Sequence, residues 1–574
     1  MQRIYKFSNT MKKILLIFGM AMMSLIACAQ EGLVLSQNIP NPFNGTTSVY
    51  LATEEAGEVT IVIADVYGQL QTLLSKSVEA GVHQFEINLR AKGNYVLGAH
   101  QNGKSASIVL FCEEGGNANR IEYLGWVEEW KNEIFTAWNG EENEDEFVNY
   151  QSVTSNQQST TAAGPFRVAL SLSPFTLNQF DAGYTFKIGD KTATTPAELQ
   201  QIYKDLGATE MYVRLATKRH KIYNADGTLD NTTDGKPDEN ANVHTLDQVL
   251  QTCRIAAALN IPINPEVMCA YIYMDMDGTQ APRFYESDYP ELYAKTEFAD
   301  IMRGKEWKDL SLADICKVLE IYGEFVADSI LATGCTVNDW NLGNEANFGF
   351  AGIGIGTPNS FDKKLAKAGQ MKRYMSSLFS LYWLKKHVWC YNVQQYAALQ
   401  RGILKAYKNA GKDASNVKFS THIATVTSTP RATAAFFKYM LQNGYDMQTA
   451  GISYYPSAPA MSFNKKKMLT KTVTRINKKC GVPVFIGEFS YPSQDMVGPF
   501  AGWNKQLKGY KKDQQGQADI YKDAIAWGKD HGLIGIRYWA PDYEGEWYPM
   551  SLFEFENKVG TAKLLLLNHK EIIK

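Results

Sequence analysis

Two glutamates, Glu345 and Glu488, stand where short apolar runs give way to polar loops: Trp340-Asn341-Leu342-Gly343-Asn344-Glu345 and Val484-Phe485-Ile486-Gly487-Glu488-Phe489. A carboxylate at the C-terminal end of a buried strand, in a barrel of alternating strands and helices, points into the face where functional groups gather. Two such carboxylates facing one another are the minimum machinery for cleaving a glycosidic bond. One glutamate alone would read as a loop cap or a salt-bridge partner. The pattern around the pair favours chemistry.

That pattern begins after Gly164, where strand-like and helix-like segments alternate, the signature of a parallel α/β architecture. The strand candidates are Phe166–Ser173, Glu210–Ala216, Pro262–Cys269, Asn338–Glu345, Lys418–Ala424, Gly451–Pro456, Pro483–Phe489 and Ile534–Ala540. Eight is the number that closes a (β/α)8 TIM barrel. Helices fill the gaps. The first opens on a capping box, Thr195 to Glu198 with Pro196 in the first turn, and the others run over 245–260, 314–332, 392–410, 431–442, 465–479 and 517–530. Gly207, Gly411, Gly444, Gly481 and Gly532 then punctuate the approach to the next strand, as C-caps do. A doubly wound open sheet also alternates, but no G-x-G-x-x-G follows the first strand, and the strand-end carboxylates favour the barrel.

The 574 residues exceed one ordinary domain, and 45% apolar with 21% charged residues fit a globular protein with a sizeable core. Residues 1–29 read as a signal peptide: Lys12 and Lys13 precede an apolar run, Ile14 to Ala27, that is too short to remain as a transmembrane helix. Ala27-Cys28-Ala29 suits signal peptidase cleavage, whereas Leu25-Ile26-Ala27-Cys28 suits a lipoprotein box with Cys28 acylated; both readings stay open. No other run is long and apolar enough to span a membrane. Residues 31–112 alternate with period two between glycine-bearing turns and read as a small all-β sandwich preceding the barrel. Residues 113–164 form a connecting segment, with Trp126, Trp130 and Trp138 on a short amphipathic stretch, followed by a polar linker; 165–574 form the barrel.

The formal charge of −2 offers no broad basic field, so nucleic acid is not expected as a partner. Aromatics reach 12%, with 11 Trp and 31 Tyr, and such rings serve core packing first and sugar platforms second. The cysteines show no C-x-x-C spacing, which argues against zinc, and one disulfide stays open. Asp226, Asp230, Asp234 and Asp238 lack EF-hand spacing. The loop is read as solvated, with structural calcium as the alternative, and no cofactor is required.

Four stretches resemble glycoside hydrolase family 53, the arabinogalactan endo-β-1,4-galactanases, within a large clan of barrel glycosidases. They are Leu342-Gly343-Asn344-Glu345, Gly451-Ile452-Ser453-Tyr454-Tyr455-Pro456, Val484-Phe485-Ile486-Gly487-Glu488 and Gly535-Ile536-Arg537-Tyr538-Trp539-Ala540-Pro541. The resemblance spans most of residues 165 to 560. It implies a retaining endo-glycosidase acting on β-1,4-galactan, with Glu345 as acid/base and Glu488 as nucleophile. It also implies Arg214 holding Glu488 in its charged form, Asn344 on the sugar 2-hydroxyl, Tyr454 bonded to the nucleophile with Tyr455 as neighbour, His422 on the fifth strand, and Trp539 as the sugar floor. Strand three departs from the family's Asp-Phe-His-Tyr run: Pro265-Glu266-Val267-Met268-Cys269-Ala270-Tyr271 leaves Glu266 or Tyr271 to replace its sugar contacts. Two alternatives therefore stand, the same mechanism on a mannan, glucan or xylan, and a non-catalytic glycan-binding surface protein. Ser36-Gln37-Asn38-Ile39-Pro40-Asn41-Pro42-Phe43-Asn44 resembles the opening of the type nine secretion sorting domain of Bacteroidetes-type bacteria, placed here at the front of the chain as an accessory module. The expected location is secreted, periplasmic or cell-surface in a Gram-negative cell, with lipid anchoring through Cys28 as one form.

Overall fold

The computed structural model describes residues 33–126, apart from 36–37, 39–42, 54 and 66–68, and residues 165–574, apart from 276–279, 379–380 and 459–464. The leader, with Cys28, and most of the connecting segment lie outside the described residues. The chain divides into two units, Met1–Gln157 and Gln158–Lys574.

The first unit is all-β. One sheet orders its strands 33–35, 46–53, 81–88, 120–126, and the other 43–44, 104–114, 93–101, 57–65, 70–78. Strict alternation builds them: in Gly93–Gln101, Tyr95, Leu97, Ala99 and Gln101 are buried while their neighbours are not. Inner faces of both sheets contribute to one core, with Val49, Leu51, Phe85 and Ile87 from one and Ile61, Ile63, Leu97 and Leu110 from the other. The sandwich runs past residue 112. Arg120–Trp126 is an edge strand paired with 83–88, so Trp126 ends a strand instead of opening an amphipathic stretch. Only Ile121 of that strand is buried, which is why its period was hard to read.

In the second unit eight parallel strands form one sheet: β1 Arg167–Ala169, β2 Met211–Leu215, β3 Ile263–Val267, β4 Trp340–Leu342, β5 Phe419–Ala424, β6 Thr449–Tyr454, β7 Val484–Phe489 and β8 Leu533–Tyr538. Every strand pairs with its successor from β2 to β8; β8 pairs with β1, and a parallel bridge Ala169↔Glu210 joins β1 to the start of β2. The ring therefore closes, as a (β/α)8 barrel must. Both faces of these strands are covered, and all residues of β2 through β7 are buried. That is the reason they read as nearly continuous apolar runs.

Outside the ring lie α1 Pro196–Asp205, α2 Leu246–Ala258, α3 Leu312–Leu331, α4 Cys390–Asn409, α5 Pro430–Gln442, α6 Lys465–Cys480 and α7 Gln514–Asp530. Reciprocal capping boxes start α1 (Thr195 with Glu198) and α2 (Thr245 with Gln248), each satisfying backbone donors that a helix end would leave unpaired. The inter-element glycines take left-handed φ, from +62° at Gly411 to +108° at Gly444, as C-caps require. A small sheet pairs Thr185–Lys187 with Val559–Thr561 and so ties the chain after β1 to the chain after β8. No helix among the described residues is long and apolar enough to cross a membrane.

Candidate active site

The site is assembled at the C-terminal ends of the strands, and two backbone irregularities aim its carboxylates. On β7 the pairing runs Ile452↔Ile486 and then Ser453↔Glu488, so Gly487 is an inserted residue that re-aims Glu488. A Cβ at Gly487 would stand 3.3 Å from His422 Cγ, and one at Gly451 only 2.5 Å from His422 Cβ; the two glycines make room for the imidazole. After β4 the chain turns through Gly343, φ +76°, and Glu345 itself adopts φ +42°. A left-handed non-glycine residue stores strain and tends to occur at functional sites. One carboxylate oxygen each from Glu345 and Glu488 and one ring nitrogen of His422 lie within 4.8 Å of one another.

A buried charge network grips Glu488 from beneath. The Arg214 guanidinium donates to its Oε1, and the Tyr455 hydroxyl donates to its Oε2. Arg214 also pairs through Nε with Glu266 Oε1 at 2.7 Å, donates to Asn344 Oδ1 at 3.1 Å, and lies 4.0 Å from the Trp539 ring centroid. Glu266 is fully buried and accepts from Tyr212 and, at 3.0 Å, from Asn341 Nδ2. His422 stands between the two carboxylates, Nδ1 3.3 Å from Glu266 and Nε2 3.6 Å from Glu488.

These surroundings drive the two catalytic candidates apart. Burial pushes the Glu345 carboxyl well above the usual carboxylate range, and the nearby Glu488 charge pushes the same way. Burial acts likewise on Glu488, yet Arg214, His422 and Tyr455 together outweigh it and hold that carboxyl low, at about 2. One group is thus poised to give a proton and the other to stay ionised, the division of labour that a carboxylate pair needs.

Arg214, Asn344, His422 and Trp539 all reach the site that the sequence suggested for them. Tyr454 does not. Alternation along β6 carries Gly451, Ser453 and Tyr455 to the inside and sends Tyr454 outward, where it is buried in the main core and tilts against Phe489 at 6.2 Å. Tyr455 is the residue bonded to Glu488, so the roles of the two adjacent tyrosines are exchanged. Asn344 has its Nδ2 donating to the Met274 carbonyl. Neither proposed strand-three replacement meets the cleft: Glu266 lies beneath it, and Tyr271 packs edge-on to Tyr285 under the Arg283 guanidinium.

The cleft above the pair has a volume of about 280 Å³ and is bounded by loop residues that the sequence reading missed. Tyr273 and Asp275 follow β3, while Phe500, Trp503 and Trp547 stand edge to face around Tyr455. Opposite, Tyr543 stacks on Phe175 at 3.9 Å and donates to Glu239 at 2.7 Å. Only Glu266 left a signal in sequence, a carboxylate inside a buried strand that falls in register with Arg214 on β2. Of the four aspartates considered for calcium, Asp226, Asp230 and Asp238 accept from their own loop, and Asp234 pairs with Arg283. The seven described cysteines are free thiols.

A carboxyl biased toward its protonated form beside one biased toward its ionised form, at the mouth of a closed (β/α)8 ring, is the apparatus of a glycoside hydrolase. The sequence agrees: residues 296–563 of this glycoside hydrolase, from before β4 to beyond β8, match the family model for glycosyl hydrolase family 53. Among solved structures, one from a study titled for two fungal beta-1,4-galactanases is 13% identical, with a TM-score of 0.48, covering 71% of this chain and 99% of that one. The GH53 catalytic domain of Ignisphaera aggregans is 17% identical, also at 0.48, covering 74% and 99%. A b-glucuronidase from Ruminococcus gnavus is 9% identical, at 0.34, covering 95% and 67%. No curated protein matches the chain.

Proposed function

We propose that this glycoside hydrolase is a retaining endo-enzyme that cleaves β-1,4-galactan, with Glu488 attacking the anomeric carbon and Glu345 protonating the leaving oxygen. The spacing of the two carboxylates carries the mechanism. One oxygen of each carboxylate lies within 4.8 Å of the other, a closeness that favours the retaining arrangement, in which the pair stands about 5–5.5 Å apart, over the inverting one at about 6.5–9.5 Å. In the first step the Glu488 oxygen bonds to the anomeric carbon as the bond to the leaving oxygen breaks and Glu345 transfers its proton there. In the second, Glu345, now a carboxylate, takes a proton from a water whose oxygen bonds to the anomeric carbon as the bond to Glu488 breaks, which releases the sugar and returns Glu488 to its ionised state. Trp539, flat against Arg214, supports the sugar at the cleavage point, and Asn344 holds the 2-hydroxyl.

Galactan as substrate rests on the family match. Strand three favours a second reading, the same mechanism on another β-glycan, because Glu266 and Tyr271 leave that side of the cleft to Tyr273 and Asp275. Hydrolysis of a panel of pure galactan, mannan, glucan and xylan separates the two. Activity confined to galactan is the expected result, and preference for any other member overturns the substrate assignment. Export through the leader, with or without a lipid on Cys28, would place the enzyme where such polymers are met.

A further inference from the structure

The chain's net charge of −2 conceals a strong asymmetry. Residues 363–487 contain 21 Lys and Arg but only two Asp and Glu, Asp413 and Asp446. This stretch covers the short helices Lys363–Ala366 and Gln370–Ser377, the turn of helix Lys385–Trp389, and α4 to α6. The elements pack one on the next: the first short helix and α5 both touch 385–389, where Trp389 meets Phe436 and Tyr439, and α5 lies against α6. Part of the charge is neutralised where Arg401 and Lys405 of α4 pair with Glu320 and Glu324 of α3. Lys363, Lys364, Lys367, Lys385, Lys438 and Lys471, by contrast, are exposed and in no ion pair with a described residue.

The cleft has the opposite character. Glu239, Asp275, Glu345 and Glu488 line it, and among the described lining residues there is no lysine or arginine. A uronate inside the cleft would meet like charge, whereas the outer helices would attract it.

We propose that this outer helical face docks on an acidic, carboxylate-bearing polysaccharide while the cleft accepts a neutral glycan chain, so that the enzyme works on neutral chains attached to or mixed with a polyuronate. The proposal rests on the reading of the cleft as a glycan site. Two features favour a polyuronate over other polyanions. The cleft is read as a glycan site, so a polyanion that reaches this face together with the substrate is itself a glycan. An interfacial membrane helix needs a broad apolar face, and the large exposed hydrophobics of this stretch are only Met371 and Tyr382 among the described residues.

The test is binding of the full mature chain to immobilised polygalacturonate, neutral dextran, anionic phosphatidylglycerol vesicles and duplex DNA. It is run at low and high salt, about 20 and 300 mM, which spans strong to weak screening of exposed charges. Polygalacturonate should be bound at low salt and lost at high salt, and dextran should not be bound. Charge reversal at Lys363→Glu, Lys364→Glu, Lys367→Glu, Lys438→Glu and Lys471→Glu together should weaken polygalacturonate binding at least about tenfold, with an unchanged melting temperature as the check on folding. A smaller set, Lys438→Glu with Lys471→Glu, should give an intermediate loss and serves if the larger set misfolds. Binding that is absent, that survives both reversals, or that is stronger to vesicles or DNA overturns the proposal. The readout needs no turnover, so a chain that binds polyuronate without cutting galactan contradicts only the proposed function, and the reverse result contradicts only this surface.

Discussion

Replacing Glu488 by Gln should leave a folded protein whose kcat on its polysaccharide has fallen by at least about 10⁴-fold, because the group that forms the covalent bond is gone and the remaining site residues act only as a unit with it. The substitution keeps the shape of the side chain and lets Tyr455 and Arg214 remain in place. Stability is therefore expected to change far less than rate. Steady-state hydrolysis and thermal unfolding of the same preparation check both parts. A variant with more than a tenth of the normal rate would remove Glu488 from the mechanism, and the nearby Glu345 pair with it.

The second large effect concerns Arg214, whose side chain has no solvent exposure and is shared between Glu266 and Glu488. Arg214→Met should lower kcat/KM by about 10²–10³-fold, the scale of losing a preorganised electrostatic partner. It should also destabilise the fold by about 3–5 kcal/mol, since it strands buried carboxylates without their cation. The pH profile distinguishes a role at the nucleophile from mere loss of structure. With Arg214 present the folded Glu488 carboxyl is depressed, so its contribution to stability is complete above its unfolded value and is lost as pH falls through about 2. Without the guanidinium only His422 and Tyr455 still oppose burial, and the acid limb of kcat/KM should move to higher pH. An unmoved acid limb, measured on the fraction that stays folded, would contradict the assignment.

Much of the barrel is legible in the sequence because its strands are covered on both faces and appear as apolar runs closed by polar loops. The two glutamates stand out for a related reason: each comes one or two residues after a glycine at the end of such a run, and those glycines, Gly343 and Gly487, mark the turn after β4 and the inserted residue on β7. Tyr454 and Tyr455 were harder to separate, since adjacent residues differ only in which side of the strand they occupy, and that depends on the register of Ser453 with Glu488. Glu266 was misplaced because its partners come from three other strands, β2, β4 and β5, that only the closed ring brings together. The aromatic wall of Phe500, Trp503 and Trp547 comes from loops, where periodicity says nothing. Net charge failed in another way. An average over the whole chain hid a basic stretch balanced by acidic residues elsewhere, so the statement that no broad basic field exists holds for the sum and not for residues 363–487.

The central claim, that Glu345 and Glu488 act together across one glycosidic bond with a covalent intermediate, is tested most directly by the configuration of the first product. Proton NMR of the anomeric region during the first moments of hydrolysis of a soluble β-glycan, before mutarotation, should show β-anomer accumulating first and α-anomer only later. Initial release of the α-anomer would mean direct attack by water, and the close carboxylate pair would then be performing a different reaction.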